Sequence, residues 1–385
     1  MSTSYYFRCP TTILTGPGVA KQVGEQAKNA KASRALVVTD PGIARTPHLK
    51  TVTESLAAAG LAYEVFDGVE PDPSISVVER NVAEIAKGNF DTFVALGGGS
   101  SIDVAKGLRL LSQFGGKLRD YAPGDKVPGT LTAPLFAIST TAGTGSQVSF
   151  GAVFSDEARG TKFTIGSPKL APTLALNDPL VTMGAPASVT ANSGMDALGH
   201  AVEAYMSTNA NAMGDTFALR AIRLVGKNLP RVMENGDDLA GREAMLFAST
   251  IAIMAGTNTG LGADHAVAMP LCTLFHLPHG LVIGMMLASV MEYNLEERID
   301  RLAEVAEALG VDTAGLSKRE AAVKAIETVR ALSVKVGQPQ RLRDIGVTGD
   351  RLGQVATLTM ESFQVPNNPH KMSPESLEDM LKRAY

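Results

Sequence analysis

An apolar run, Asp91-Thr92-Phe93-Val94-Ala95-Leu96, passes without a break into Gly97-Gly98-Gly99-Ser100 and then into a helical pattern from Ser101 to Gln113. Such a run, with no polar residue alternating in it, reads as a strand buried on both faces, the kind found in parallel sheets covered by helices. The turn behind it carries chemistry. Glycines let the backbone approach a phosphate closely, and the helix offers unpaired N–H groups and the positive end of its dipole. Ser100 is placed to cap that helix. The stretch therefore reads as a pyrophosphate cradle, although it lacks the G-x-G-x-x-G order that follows the first strand of common dinucleotide folds. Without a ligand it would be only a tight strand-to-helix turn.

The surrounding sequence repeats the pattern. Ala35 to Thr39 reads as a buried strand ending at Asp40-Pro41-Gly42, followed by a helix from His48 to Ala59. Ala62 to Phe66 is a second strand, Ser76 to Lys87 a second helix, and Pro134 to Ser139 a further strand. That last strand ends in Thr140-Thr141-Ala142-Gly143-Thr144-Gly145-Ser146, a hydroxyl-rich loop able to hold a ribose or a phosphate. Two such loops at strand ends point to one shared ligand at the carboxyl edge of a sheet. Phe150 to Phe154 and Thr161 to Ile165 form a hairpin carrying Lys162, which on its own reads as solvated. The expected fold is an α/β, doubly wound domain over residues 1–186, followed by an all-helical domain over 187–385. Helices are expected at Ala187 to Met206, Ala212 to Lys227, Leu239 to Ala255, Leu281 to Met291, Leu295 to Leu309, Arg319 to Lys335 and Pro374 to Arg383, with Ser317 and Ser373 as N-caps.

Composition excludes several classes of function. At 385 residues, with 45% hydrophobic and 19% charged residues, the chain has material for a large core. The net charge of −4 comes with no basic run, which argues against nucleic acid and anionic membrane partners. Only two cysteines, Cys9 and Cys272, are present, which fits a reducing cytoplasm. Met1-Ser2-Thr3-Ser4-Tyr5-Tyr6-Phe7-Arg8 lacks a charged region followed by an apolar run, so no signal peptide is expected, and Leu281 to Val290 is too short to span a membrane.

The second half holds a metal-site pattern. Gly194-Met195-Asp196-Ala197-Leu198-Gly199-His200 puts a carboxylate and an imidazole at i and i+4, on one helix face. His265 and His279 follow in Asp264-His265 and Pro278-His279-Gly280, where prolines are expected to interrupt helix, so that one histidine comes from a helix and the other from the start of the next. Four of the six histidines, His200, His265, His276 and His279, sit in apolar contexts in this half. One carboxylate and three imidazoles suit Fe(II) or Zn(II) with a position left for a substrate oxygen. A lone Asp–His pair would be only a helix-surface contact.

Taken together, Gly97-Gly98-Gly99-Ser100 with Asp103 and Lys106, the Thr140–Ser146 loop, Gly194-Met195-Asp196-Ala197 with His200, and His265 with Pro278-His279-Gly280 make the chain resemble the iron-containing (group III) alcohol dehydrogenases over essentially its whole length. The resemblance implies an active site in the cleft between a nucleotide-binding domain and a helical domain, the architecture shared with dehydroquinate synthases. It implies Asp196, His200, His265 and His279 as metal ligands, for Fe(II) or alternatively Zn(II). Gly98, Gly99, Ser100 and Asp103 would line the pyrophosphate and nicotinamide, and Thr140, Thr141, Thr144 and Lys162 would complete the NAD(H) site. Asp40 would face the adenine ribose and repel a 2′-phosphate, favouring NAD(H) over NADP(H). The implied activity is hydride transfer between NAD(H) and a small alcohol or aldehyde, in a homodimer or higher homo-oligomer. By family position the substrate pocket would be lined from Phe150, Gly151, the Met254 region, Phe275 and the Ser362 region.

The chain also departs from that family's pattern. Met269 stands where a histidine credited with proton transfer is common, Gln147 where a glutamate is usual, and Asp72 where an asparagine is usual. Water, the cofactor's ribose hydroxyl or His276 would have to carry the proton. The competing readings are a metal-free NADH-dependent reductase of the maleylacetate reductase type and a dehydroquinate synthase-like lyase. The first would depart at the ligand positions, and the second needs a basic pocket that is not seen.

Overall fold

Strands β1 (Thr12–Thr15), β2 (Arg34–Val38), β3 (Ala62–Phe66), β4 (Thr92–Gly97), β5 (Leu135–Ser139) and β8 (Leu174–Asn177) form a six-stranded parallel sheet in the order β1-β8-β5-β4-β2-β3. The computed structural model describes residues 4–122 and 126–385. Met1, Ser2 and Thr3, part of the stretch read above for a targeting signal, lie outside them. Strands β6 (Gly151–Asp156) and β7 (Thr161–Gly166) pair as the expected antiparallel hairpin.

Both sheet faces are covered, which is why the strands read as unbroken apolar runs. Ala35, Val37, Val94, Leu96, Phe136 and Ile138 pack on one face against α1 (Val23–Asn29) and α2 (Pro47–Ala58). Leu36, Val38, Phe93, Ala95, Leu135 and Ala137 pack on the other against α3 (Ile75–Glu79), α4 (Val82–Lys87) and α5 (Gly99–Phe114). The helix after β2 therefore lies on one face and the helix after the neighbouring β4 on the other. The crevice between their carboxyl ends is the switch point at which such sheets bind ligands.

From Ala187 onward the described elements are helical: α6 (Ala187–Met206), α7 (Ala212–Glu234), α8 (Leu239–Thr259), α9 (Ala263–Phe275), α10 (His279–Tyr293), α11 (Ile299–Ala308), α12 (Lys318–Lys335), α13 (Leu352–Thr359) and α14 (Pro374–Ala384). Helix α6 is buried almost throughout and runs through the middle of this half, with α7, α8, α11 and α12 completing its core. Helices α9, α10, α13 and α14 form an adjoining core. Helix α8 is long and apolar enough to cross a membrane by length and composition, but Met245, Ala248, Ile251 and Ala252 bury it in the protein core.

Several expectations need correction. The stretch from Ser76 to Lys87 is two short helices, broken at Arg80 and Asn81. Strands β1 and β8 and helices α1 and α13 had no counterpart in the sequence reading, and the helix expected from Leu295 begins at Ile299 after a short turn. Pro270 does not interrupt helix: it lies inside α9, which continues because Leu271 and Cys272 are buried in the core beside it. The break falls at His276, whose φ of 52° ends the helix in the left-handed region. Ser317 and Ser373 cap α12 and α14 as expected. Ser100 does not cap α5, because the N-cap is Gly98 and Ser100 stands in the first turn.

Candidate active site

The buried middle of α6 presents Asp196, His200 and Glu203 along one face, at i, i+4 and i+7. The N-terminal turn of α9 brings in His265, and the first residue of α10 brings in His279. Asp196 Oδ1 lies 3.8 Å from His200 Nδ1, 3.7 Å from His265 Nε2 and 3.6 Å from His279 Nε2. These separations are too long for hydrogen bonds. Asp196 Oδ1, His200 Nδ1 and His265 Nε2 are buried with no hydrogen-bond partner among the described residues. Buried polar atoms are rarely left in that state unless something else satisfies them. Donors held at about 2.0–2.2 Å from one divalent ion stand about 3–3.5 Å apart, so the group needs only a small contraction to hold a metal. Asp196, His265 and His279 are the tightest three, with all donor atoms within 4.8 Å, and His200 borders them. The His279 side chain is 26% exposed and faces the cleft, where a substrate would approach.

Electrostatics fit the same use. Burial would push the Asp196 carboxyl up, but the facing imidazoles of His200, His265 and His279 hold it far below the usual carboxylate range. Burial pushes His200 down to about 4 and His279 down to about 3, so both are neutral donors at neutral pH. Burial would also lower His265, but the carboxylates of Asp196 and Glu203 outweigh it and hold the imidazole up at about 10. Glu203 was missed in the sequence; its Oε2 lies 2.6 Å from His265 Nδ1. The spacing from Asp196 along α6 was the available signal. Cys272 Sγ stands 3.9 Å from His279 Nδ1, and burial pushes its thiol up to about 12.

The glycine turn after β4 and the hydroxyl-rich loop after β5 meet at the switch point. Gly97 pairs with Ser139 in the sheet register, and Thr140 N donates to Gly97 O at 3.0 Å, so the two loops lie side by side. A Cβ on Gly99 would meet Thr144 Oγ1 at 2.7 Å, which leaves room only for glycine there. A Cβ on Gly98 would make only ordinary contacts of 3.5 Å with Thr141. Gly98 thus has room for a side-chain carbon at the start of α5, where a phosphate would sit. Asp40 is on the neighbouring strand end, and its Oδ1 accepts from Gly42 N at 2.9 Å and Ile43 N at 3.0 Å. The arrangement fits a dinucleotide.

A cavity of about 460 Å³ joins this crevice to the histidines, lined among others by Ser100, Asp103, Thr144, Lys162, His200 and His279. Thr140 and Thr141 line a separate, smaller pocket against α6 and α8. Asp103 is committed to protein contacts: Oδ1 accepts from Ser146 and Lys106, and Oδ2 accepts from Val153 N at 2.9 Å. Lys106 is fully buried and donates to Ser146 Oγ at 2.9 Å and Gly151 O at 2.6 Å. Lys162 is not solvated but buried, ion-paired with Asp72 on the Pro71–Pro73 loop. Phe150, Gly151, the Met254 region through Ile253 and Thr257, and the Ser362 region through Phe363 line the cavity as expected, whereas Phe275 does not; Leu261 and Met269 line it as well. His276 is exposed at the end of α9, away from the cavity lining, so it is not placed to replace an imidazole at Met269.

Comparison with known proteins gives the same picture. A family model described as Iron-containing alcohol dehydrogenase matches residues 10–179, and one described as Fe-containing alcohol dehydrogenase family, C-terminal, matches residues 190–385. The 1,3-propanediol dehydrogenase of Citrobacter freundii is 38% identical over 379 residues, covering 98% of this chain and 97% of that protein. The NAD-dependent methanol dehydrogenase of Bacillus methanolicus is 34% identical, covering 98% of this chain and 99% of its own. The crystal structure of a 1,3-propanediol oxidoreductase superposes over 100% of both chains with a TM-score of 0.96 at 36% identity.

Proposed function

The chain belongs to the iron-containing alcohol dehydrogenase family and is a metal-dependent, NAD-dependent alcohol oxidoreductase; on that premise we propose that Asp196, His200, His265 and His279 hold its metal, and that the crevice from Asp40 to Lys162 holds NAD(H). The observation that carries the reading is Asp196 Oδ1, buried without a partner and faced by three imidazole nitrogens at 3.6–3.8 Å. When bound, a divalent metal supplies Lewis acidity toward an alcohol or carbonyl oxygen, and the nicotinamide exchanges the hydride. Fe(II) is the family's ion, and Zn(II) suits the same donors.

The protein's own groups do the rest. Free N–H groups at the start of α5, beside Gly98 and Gly99, hold the pyrophosphate. Asp40 accepts from the adenine ribose hydroxyls. Phe150, Leu261, Met269 and Phe363 give the cavity apolar walls that limit water there. Met269 lines the cavity and carries no transferable proton, so at that position the chain supplies no proton donor. A cavity of about 460 Å³ that must also hold the nicotinamide half of the cofactor leaves room for a small alcohol or aldehyde.

We further propose a division into two domains near residue 186, a homodimer or higher homo-oligomer, and a cytoplasmic location. The alternation of strands and helices up to Asn177 and the helical run from Ala187 support the first. The second is supported by β1, an edge strand with Ile13 exposed, and the third by the two free thiols of Cys9 and Cys272. Aldehyde-dependent oxidation of NADH by the iron-loaded protein tests the activity. Short aldehydes should be consumed with stoichiometric loss of NADH. No net NADH loss with any aldehyde, together with no NADH formed from NAD+ by any alcohol, would overturn the reading and favour the lyase.

A further inference from the structure

The first peptide N–H groups of α9 have no acceptor of their own, as at any helix start, and the N-cap Gly262 has no side chain to offer. Two distant residues supply the acceptors. Asn368 Oδ1 accepts from Ala263 N at 3.1 Å. Glu203, on α6, accepts from Asp264 N at 2.6 Å through Oε1 and from His265 N at 3.3 Å through Oε2. The same Oε2 lies 2.6 Å from His265 Nδ1. Gly262 is required by this arrangement, since a Cβ there would meet Asn368 Oδ1 at 2.8 Å and Glu203 Oε1 at 3.1 Å. Glu203 is 2% exposed, so water does not compete for these bonds.

We propose that Glu203 is the positioning residue of the metal site, fixing both the place of α9 and the ring nitrogen that His265 turns toward the metal. The inference rests on the reading of Asp196, His200, His265 and His279 as ligands. Both backbone partners of Glu203 are donors, so a carboxylate with two acceptor oxygens matches them. His265 must then present its Nδ1–H to Glu203, which leaves Nε2 facing Asp196 Oδ1 as the nitrogen whose proton a metal would displace. One carboxylate thereby ties the helix carrying Asp196 and His200 to the helix carrying His265.

Glutamine has nearly the same shape but the wrong chemistry. It offers one acceptor oxygen and one NH₂ group to three donors. Either the NH₂ faces a helix N–H, or it donates to His265 Nδ1 and moves the ring proton to Nε2, where it blocks the metal. Glu203→Gln should therefore weaken metal binding about 10- to 100-fold, the usual effect of removing such a partner. NADH binding should remain within about twofold, because Glu203 does not line the cavity that the glycine turn borders.

The experiment is competition of the protein with a chromophoric chelator for Zn(II), run on wild type, Glu203→Gln, Glu203→Asp and Asp196→Ala, with NADH fluorescence titration as the fold control. The proposal expects Glu203→Gln to lose affinity, Glu203→Asp to recover part of it, and all variants to bind NADH. Wild-type Zn(II) affinity in Glu203→Gln, with Asp196→Ala unable to bind, would overturn the proposal alone. Undiminished affinity in Asp196→Ala would overturn the ligand reading beneath it. If Glu203→Gln does not fold, nitrogen-15 histidine NMR of the Zn(II)-loaded wild type decides the matter, since only six histidines need be resolved. A protonated Nδ1 on His265 is expected, and a bare Nδ1 would overturn the proposal.

Discussion

Asp196 Oδ1 and His279 Nε2 stand 3.6 Å apart although their helices, α6 and α10, are separated by α7, α8 and α9 along the chain. This is the closest of the carboxylate's three imidazole contacts, and its proton chemistry predicts how metal binding responds to pH. His200 and His279, held down at about 4 and 3, are already neutral at pH 7. His265, held up at about 10, carries a second proton that a metal must displace. A group whose pKa is raised keeps its proton below that value, so affinity rises with pH until about 10. Zn(II) affinity should increase about tenfold per pH unit between pH 6 and 8, with one proton released per ion. Below pH 4 the slope should steepen as His200 and His279 gain protons. A chelator competition series against pH checks this; a flat response would count against the assignment.

The glycine turn predicts a contrast between neighbours. Gly99→Ala drives a methyl into Thr144 at 2.7 Å and should cost about 1–3 kcal/mol of stability. Gly98→Ala meets nothing closer than 3.5 Å and should leave the melting temperature unchanged. Its methyl would occupy the space meant for the pyrophosphate, so NADH affinity should fall about tenfold, a loss of about 1.4 kcal/mol. Differential scanning fluorimetry with NADH titration separates the two effects.

Asp40→Asn keeps the side-chain oxygen that accepts from Gly42 and Ile43 while removing its charge. The fold should be retained. The ratio of kcat/KM for NADPH over NADH should rise at least about tenfold, because the carboxylate no longer repels a 2′-phosphate. An unchanged ratio would show that Asp40 does not face the adenine ribose.

Lys106 links α5 to the Ser146 loop and to Gly151 at the start of β6. It is fully buried, and burial lowers its pKa, though Asp103 opposes that pull. Lys106→Met removes the cation beside Asp103 and the donor to Ser146 Oγ, Ser149 Oγ and Gly151 O. A loss of about 3 kcal/mol is expected in urea unfolding.

Much of this was legible because buried parallel strands and a central buried helix leave strong periodic signals. Strand β4 is buried for its whole length, and the face of α6 carrying Asp196 and His200 can be read from spacing alone. Strand β1 was not legible, because an edge strand of four residues with three exposed has no buried face to mark it. Pro270 misled because its cost to helix α9 is local, while burial of Leu271 and Cys272 acts through the tertiary core. Lys162 read as solvated because its partner Asp72 lies on a distant loop. Glu203 was hidden for the same reason, since its partners on α9 are joined to it only by the fold.

The most direct test is metal content by mass spectrometry on protein purified without oxygen or chelator, comparing wild type with Asp196→Ala. The account predicts about one divalent metal per wild-type chain and none in the variant, with NADH binding retained in both. Equal metal in both proteins, or a metal-free wild type that reduces aldehydes at full rate, would contradict it.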